Sequence, residues 1–315
     1  MKRIISLIVL IALFCTGCAN YEQVQNDKLN IVCTVFPQYD FVREIAKDKV
    51  NLTMLLPLGS EAHSYEPTAN NIIALNRADL FIGIGGESEH WAEHLLDGVK
   101  NENLETLYLL KSVEVYDEEY TEGMEKSSHN HTHNEHTHLA AADEHIWTSP
   151  QNAIAMCTII YDTLCRLDKA NAHFFKKNYA EYKQKLEKLD VAFKDAVKGS
   201  ARNTLVFGDR FPMRYLTEEL GLEYFAVFPG CSSKTEPSAK TVAFLSDKVS
   251  SEKIPVVFYM DYSDGRHAKA IAKHSNAKAK RLYSCHNLSK KDFENGENDI
   301  SLMTKNAHLL REALL

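Results

Sequence analysis

The sequence predicts an α/β fold of two lobes, each a mostly parallel sheet flanked by helices, joined by one long rigid helix. Three observations carry that expectation. Short β-branched and apolar runs alternate with helical stretches, the pattern of βαβ units and a parallel sheet. The alternation recurs in the second half of the chain, after residue 200. Between the halves lies one long amphipathic stretch without glycine or proline.

Residues 29–36 are apolar and β-branched, a buried strand punctuated by Pro37, and 39–47 follows as a helix. Residues 50–56 read as a second strand ending at Pro57, 67–76 as a helix, 78–84 as a third strand and 106–110 as a fourth. In the second half, 204–208, 223–228 and 256–260 read as strands. Helices at 212–220, 238–250 and 266–275 follow them, and a helix at 300–314 closes the chain. The linking stretch carries Phe175, Tyr179, Tyr182, Leu186, Leu189, Phe193 and Val197 three or four residues apart, an apolar stripe at helical period. A helix over 168–198 is about 45 Å long at 1.5 Å per residue, more than a crossover between neighbouring strands needs. It reads as a strut between lobes; a coiled-coil segment is the alternative.

The ends and the composition bound the setting. Lys2 and Arg3 precede the apolar run 4–14, too short to span a bilayer and arranged as a secretory signal. The run ends in C-T-G-C, and Gly17 before Cys18 resembles the lipobox of bacterial lipoproteins, with Cys15 where leucine is usual. That resemblance implies cleavage before Cys18, a lipid anchor on it and an extracytoplasmic location on the cell membrane. The expected organisation is a signal at 1–17, a tether at 18–28, an N-terminal lobe at 29–165, a linking helix at 166–200 and a C-terminal lobe at 201–315. The formal charge of −7, with no basic cluster, argues against nucleic acid as a partner. Of the later cysteines, Cys33 and Cys157 sit in apolar runs as buried thiols. Cys231 and Cys285 lie in loop-like contexts and form the candidate disulfide of an exported chain.

Histidine points to the chemistry. His129, His131, His133, His136 and His138 fall within H-N-H-T-H-N-E-H-T-H, in a polar loop at 127–140. Neutral imidazole is the commonest ligand for borderline metals, so the tract is compositionally metal-binding. Its spacing offers loose, interchangeable chelates, which suits an accessory loop better than a preorganised site. In open α/β sheets ligands bind beyond the carboxyl ends of the strands. Those places hold His63 in G-S-E-A-H-S-Y-E-P-T and His145 in D-E-H-I-W-T-S-P. Asp143 and Glu144 are placed to orient the His145 ring. Asp209 follows the 204–208 strand, and Asp261 and Asp264 follow 256–260. A carboxylate there can equally cap the next helix.

Together these motifs resemble the metal-binding lipoproteins that feed zinc and manganese ABC importers. Their usual patterns are G-x-x-P-H-x-Y-E-P-T and D-P-H-x-W-L-S-P; here Ala62 and Glu144 replace the prolines and Thr148 replaces leucine. The resemblance covers the mature chain and implies a metal site in the cleft between the lobes. It assigns His63 and His145 as the N-terminal ligands. The family's third ligand is a His or Glu directly after a strand, where this chain has Gly208, so either Asp209 takes the role by a small shift or the site is built differently, with Arg210 beside Asp209 able to pair with it and hold it away from metal. The fourth, an acid after the later strand, falls on Asp261, with Asp264 and Glu236 as alternatives. An N/O donor set suits zinc, with manganese or iron less favoured. The implied function is capture of Zn2+ by a monomeric, non-enzymatic receptor and delivery to a membrane permease and its ATPase. Two other classes stand beside it: a secreted zinc-dependent hydrolase, although H-E-x-x-H and G-x-S-x-G are missing, and a surface metal buffer or adhesin working through the histidine loop.

Overall fold

The computed structural model describes residues 28–86, 89–124, 142–230, 236–273 and 275–315. The first sheet is built from β1 (Asn30–Cys33), β2 (Asn51–Met54), β3 (Leu80–Gly83) and β4 (Glu105–Tyr108) in the order β2-β1-β3-β4. Its helices are α1 (Phe36–Ala46), α2 (Ala69–Asn76) and α3 (His90–Asp97). Then come α4 (Pro150–Leu167) and the long α5 (Ala172–Val197). The second sheet holds β5 (Thr204–Phe211), β6 (Glu223–Pro229), β7 (Val256–Met260) and β8 (Lys278–Leu282) in the order β6-β5-β7-β8. Its helices are α6 (Arg214–Leu220), α7 (Ala239–Ser251), α8 (Arg266–Ala272), α9 (Lys290–Glu294) and α10 (Asp299–Leu314). Every strand pair is parallel.

The two sheets repeat one winding. In each, the chain steps outward from the first strand and then reverses past it, so a switch point lies between β1 and β3 and another between β5 and β7. Crevices open at the carboxyl ends of such strands. β1 and β3 are buried almost throughout, as continuous apolar runs in a covered parallel sheet should be.

One apolar core runs through both lobes. It joins Ile31 and Ile82 of the first sheet to Phe207 and Phe258 of the second through Phe175, Leu186 and Phe193 of α5 and Leu302 and Leu310 of α10. Separate smaller clusters cover the outer faces under α2 and α3, and under α7 and α8. The 26 residues of α5 span about 39 Å, and its predicted stripe is its buried face. Tyr179, nearer its edge, stacks on Tyr161 of α4 with ring centroids 4.6 Å apart. The buried Asp40 carboxylate of α1 accepts the Asp299 N–H of α10 at 2.9 Å, tying the last helix to the first lobe. Among the described residues no helix is long and apolar enough to cross a membrane.

Three sequence expectations are corrected. The 204–208 strand runs on to Phe211, with a register shift against β6 between Phe207 and Arg210. Asp209 and Arg210 therefore lie within a strand rather than after it. β8 and α3 were not expected. β8 reads K-A-K-R-L, an edge strand whose charges hide its period. Gly208 is required by close approach, because a Cβ there would collide with the backbone of Ala268 in α8. Gly208→Ala is expected to destabilise the chain by about 2 kcal/mol through overpacking, read as a lower denaturant midpoint at unchanged slope.

Candidate metal centre

A cavity of about 410 Å³ opens between the lobes at the carboxyl ends of the strands. Its N-terminal wall is Ser60, Glu61, Ala62 and His145, and its C-terminal wall includes Asp209, Arg210, Gly230, Asp261 and His286.

His145 is held from several sides. It precedes a 3-10 turn at Ile146–Thr148, and α4 then starts with Ser149 as N-cap and Pro150 at its first position. Thr148 Oγ1 donates to the His145 carbonyl at 2.8 Å. Asp143 Oδ1 lies 2.9 Å from His145 Nδ1 and accepts the His145 backbone N–H at 2.9 Å. A carboxylate on Nδ1 selects the tautomer with Nε2 as the coordinating atom. Burial opposes charge on this ring, but Asp143, with Glu144, outweighs it and raises the His145 pKa above its ordinary value. Tyr215 of the second lobe donates its hydroxyl to the Asp143 carbonyl at 2.5 Å. Gly230 lies flat against the ring: a Cβ there would sit 3.0 Å from His145 Cε1.

Sequence reasoning missed His267, which lines the cavity, and above all His286. Its buried ring meets His145 edge to face, centroids 5.5 Å apart at 84°, and lies 4.9 Å from Trp147. It follows β8, the strand not recognised, so the strand-end rule passed over it. The 284–288 segment belongs to the second sheet in sequence and to the first lobe by contact. Trp147 Nε1 donates to the Ser284 carbonyl at 2.8 Å, and Phe36 N–H to the His286 carbonyl at 3.2 Å. Asn287 Nδ2 donates to the carbonyls of Pro57 and Ser60 at 2.8 and 2.9 Å, and Gly59 N–H to Leu288 at 2.7 Å. Between them Cys285 is left-handed, φ 58°, a conformation that costs a non-glycine residue about 1 kcal/mol or more.

These bonds fix the chain just before the 3-10 turn Ala62–Ser64 that carries His63. The His63 side chain lies outside the described residues, as do Cys18, Cys231 and all five histidines of the 129–138 tract. Cys285, the other half of the candidate disulfide, is a buried thiol whose pKa burial raises well above the ordinary value. On the near side of the histidine loop, Thr241 Oγ1 of α7 donates to the Gly123 carbonyl at 2.8 Å.

Asp209, Asp261 and Asp264 all line the cavity, and each carboxylate is engaged. Asp209 accepts the N–H groups of Arg210 at 2.9 Å and Met260 at 3.2 Å. Asp261 accepts Ser284 N–H at 2.9 Å, and burial raises its pKa to about 6. Asp264 accepts Arg266 N–H at 2.9 Å at the start of α8. Glu236, which is not in the lining, pairs with Arg266, which is. Arg210 reaches across to Glu61 at 3.4 Å rather than pairing with Asp209. Among the described residues no three His, Cys, Asp or Glu side chains converge closely enough to hold a metal.

A polar cluster lies at the ends of β1 and β3. Buried Glu89 accepts the Thr34 hydroxyl and, at 2.9 Å, Gly85 N–H, while Gln38 donates to Thr34 at 2.5 Å. Burial raises Glu89 to about 7, and the nearby Glu144 charge adds to the effect. The unfolded chain ionises this group near its model value of 4.5. Its proton thus favours the folded state fully below that value, and the stability is lost as pH rises through about 7. Between about pH 5 and about pH 8 the wild type should lose about 2 kcal/mol more than Glu89→Gln, measured by denaturant titration at both pH values.

The fold and the cleft first define a class: a two-lobed α/β protein with histidines in the cleft between the lobes. The chain belongs to the ZnuA family, described as the zinc-uptake complex component A, periplasmic, which it matches over residues 31–313. It is 32% identical over 313 residues to the zinc-binding lipoprotein AdcA of Streptococcus pneumoniae (strain ATCC BAA-255 / R6), covering 99% of this chain and 61% of that protein. It is 28% identical over 291 residues to the high-affinity zinc uptake system protein ZnuA of Bacillus subtilis (strain 168), covering 92% and 89%. The crystal structure of the Zn(II)-bound ZnuA-like domain of Streptococcus pneumoniae AdcA matches with a TM-score of 0.74 at 28% identity, covering 91% of this chain and 99% of that one. This chain thus spans 61% of the length of the AdcA protein it matches.

Proposed function

We propose that this chain is an extracytoplasmic receptor that captures Zn2+ between its lobes and delivers it to an ABC permease and its ATPase. The observation that carries the reading is the meeting of His145 and His286, one from each lobe, in an interlobe cavity. Two imidazoles from opposite walls suit a borderline dication better than calcium or magnesium, which prefer all-oxygen shells. His63 is proposed as a third donor, since its turn follows directly on Glu61 and Ala62 of the cavity wall. Asp261 is proposed as a fourth in place of its backbone bond, whereas Asp209 is committed to two backbone N–H groups. Zinc is favoured over manganese by this donor set, and both zinc-named relatives support it.

The N-terminal pattern supports export and a lipid anchor at Cys18, and the receptor is proposed to act as a non-enzymatic monomer. The 129–138 histidines are proposed to gather metal near the cleft, and Cys231 with Cys285 stays a proposed pair under oxidising conditions.

Zinc competition against a chromophoric chelator tests the site. His145→Ala and His286→Ala are each expected to weaken binding about 100-fold or more. Asp143→Asn, which removes only the partner of Nδ1, should cost about 10- to 100-fold. Deleting 129–138 should leave one tight site. A His286→Ala variant that binds zinc like the wild type would remove the second lobe from the reading.

A further inference from the structure

We infer that Glu219 of α6 and Asp190 of the linking helix α5 share a single proton, and that this proton locks both lobes to the linking helix at the elements that hold His145. Three observations carry this.

The first is the meeting of the groups. Ser149, the N-cap of α4, donates its hydroxyl to Glu219 Oε2 at 2.5 Å. Gln151 of α4 and Lys194 of α5 each donate to Asp190 Oδ2 at 2.8 Å. Lys194 Nζ also lies 3.9 Å from Glu219 Oε1, so one ammonium stands against both carboxyl groups. The remaining oxygens, Asp190 Oδ1 and Glu219 Oε1, are buried, with no nitrogen or hydroxyl donor on either among the described residues. The two carboxyls are within hydrogen-bonding reach of each other.

The second is charge. Two ionised carboxylates against one ammonium leave an excess negative charge in a buried joint; one proton between the oxygens removes it and supplies the missing donor. The other charges nearby do not replace that proton. Arg214 of α6 pairs with Glu218 and Glu119, and Glu114 and Glu218 line an adjoining cavity of about 230 Å³. Burial, and then the bond to Asp190, raise Glu219 to about 7. Burial opposes charge on Asp190, but bonds from Glu219, Lys194 and Gln151 outweigh it and lower its pKa. The proton therefore resides on Glu219.

The third is position. Ser149 ends the 3-10 turn that follows His145, and Tyr215, on the same helix as Glu219, donates to the Asp143 carbonyl at 2.5 Å. When the proton leaves, two like charges face each other, and the start of α4 loosens together with α6.

The full chain, free of metal, would be compared with Glu219→Gln at about pH 5.5 and about pH 8.5. Glutamine keeps a donor for Asp190 and an acceptor for Ser149 but does not titrate, and Glu89 and Asp261 are common to both proteins. The unfolded chain ionises Glu219 near its ordinary 4.5, so the proton stabilises the fold fully below that value and the gain is lost as pH rises through about 7. The wild-type denaturant midpoint should fall further than that of the variant. Amide exchange at 149–152 and 214–220, corrected for intrinsic rates, should be about tenfold faster at the higher pH in the wild type alone. On the receptor reading, wild-type zinc affinity should fall about threefold or more relative to Glu219→Gln. If that variant fails to fold, infrared spectra decide: Asp190→Asn should lose one of the protonated-carboxyl bands that the wild type bleaches near neutral pH. Equal pH dependence in both proteins overturns the shared proton, and a constant zinc ratio overturns its tie to His145. A chain that takes up no zinc at either pH overturns the receptor reading, while midpoints and exchange still decide the proton.

Discussion

The site depends on the 284–288 segment being bonded to the lobe it does not belong to. Asn287 holds the carbonyls of Pro57 and Ser60, Leu288 receives Gly59, and Trp147 donates to Ser284. None of these groups is itself proposed to touch metal. They fix the positions of the groups that are: the turn bearing His63, the His286 ring, and His145 beside Trp147. Buried amide–carbonyl bonds of this kind contribute about 1 kcal/mol each when made and cost more when one partner is orphaned. The left-handed Cys285 is tolerated because neighbours on both sides are already bonded.

The polar groups around His145 form a graded environment. Asp143 is committed to the ring and the backbone, and Tyr215 of the second lobe holds the Asp143 carbonyl in turn. Glu89 sits deeper, with burial favouring its neutral form. On the opposite wall Arg210 and Arg266 stand among Asp209, Asp261 and Asp264, so charges of both signs face the cleft.

Much of this was legible in the chain. The strand and helix runs of both lobes were visible because a parallel sheet covered on both faces needs continuous apolar strands, and β7 falls at Val256–Met260 as read. The linking helix was visible because its stripe keeps helical period. His145 and Asp143 were visible as a local motif, since the contacts that orient the ring are two residues apart. His286 was not, for two physical reasons. β8 is an edge strand whose lysines and arginine carry no hydrophobic period, so no strand end marked the place. The partners of His286, namely His145, Trp147 and Phe36, are remote in sequence, and no local pattern announces them. The strand extension through Asp209 was hidden for a related reason, because a register shift lets polar residues continue a strand.

The single core through both lobes has a consequence for communication. A receptor whose halves share one packed interior, with helices crossing from one to the other, has no low-cost hinge, so filling the cleft cannot swing one lobe far against the other. For a receptor of the proposed kind, a membrane partner would distinguish full from empty through a few rim side chains and short loops. The contrast available to that partner is then set by the roughly 1–3 kcal/mol that local rearrangements exchange between linked sites, a quiet signal read at close range.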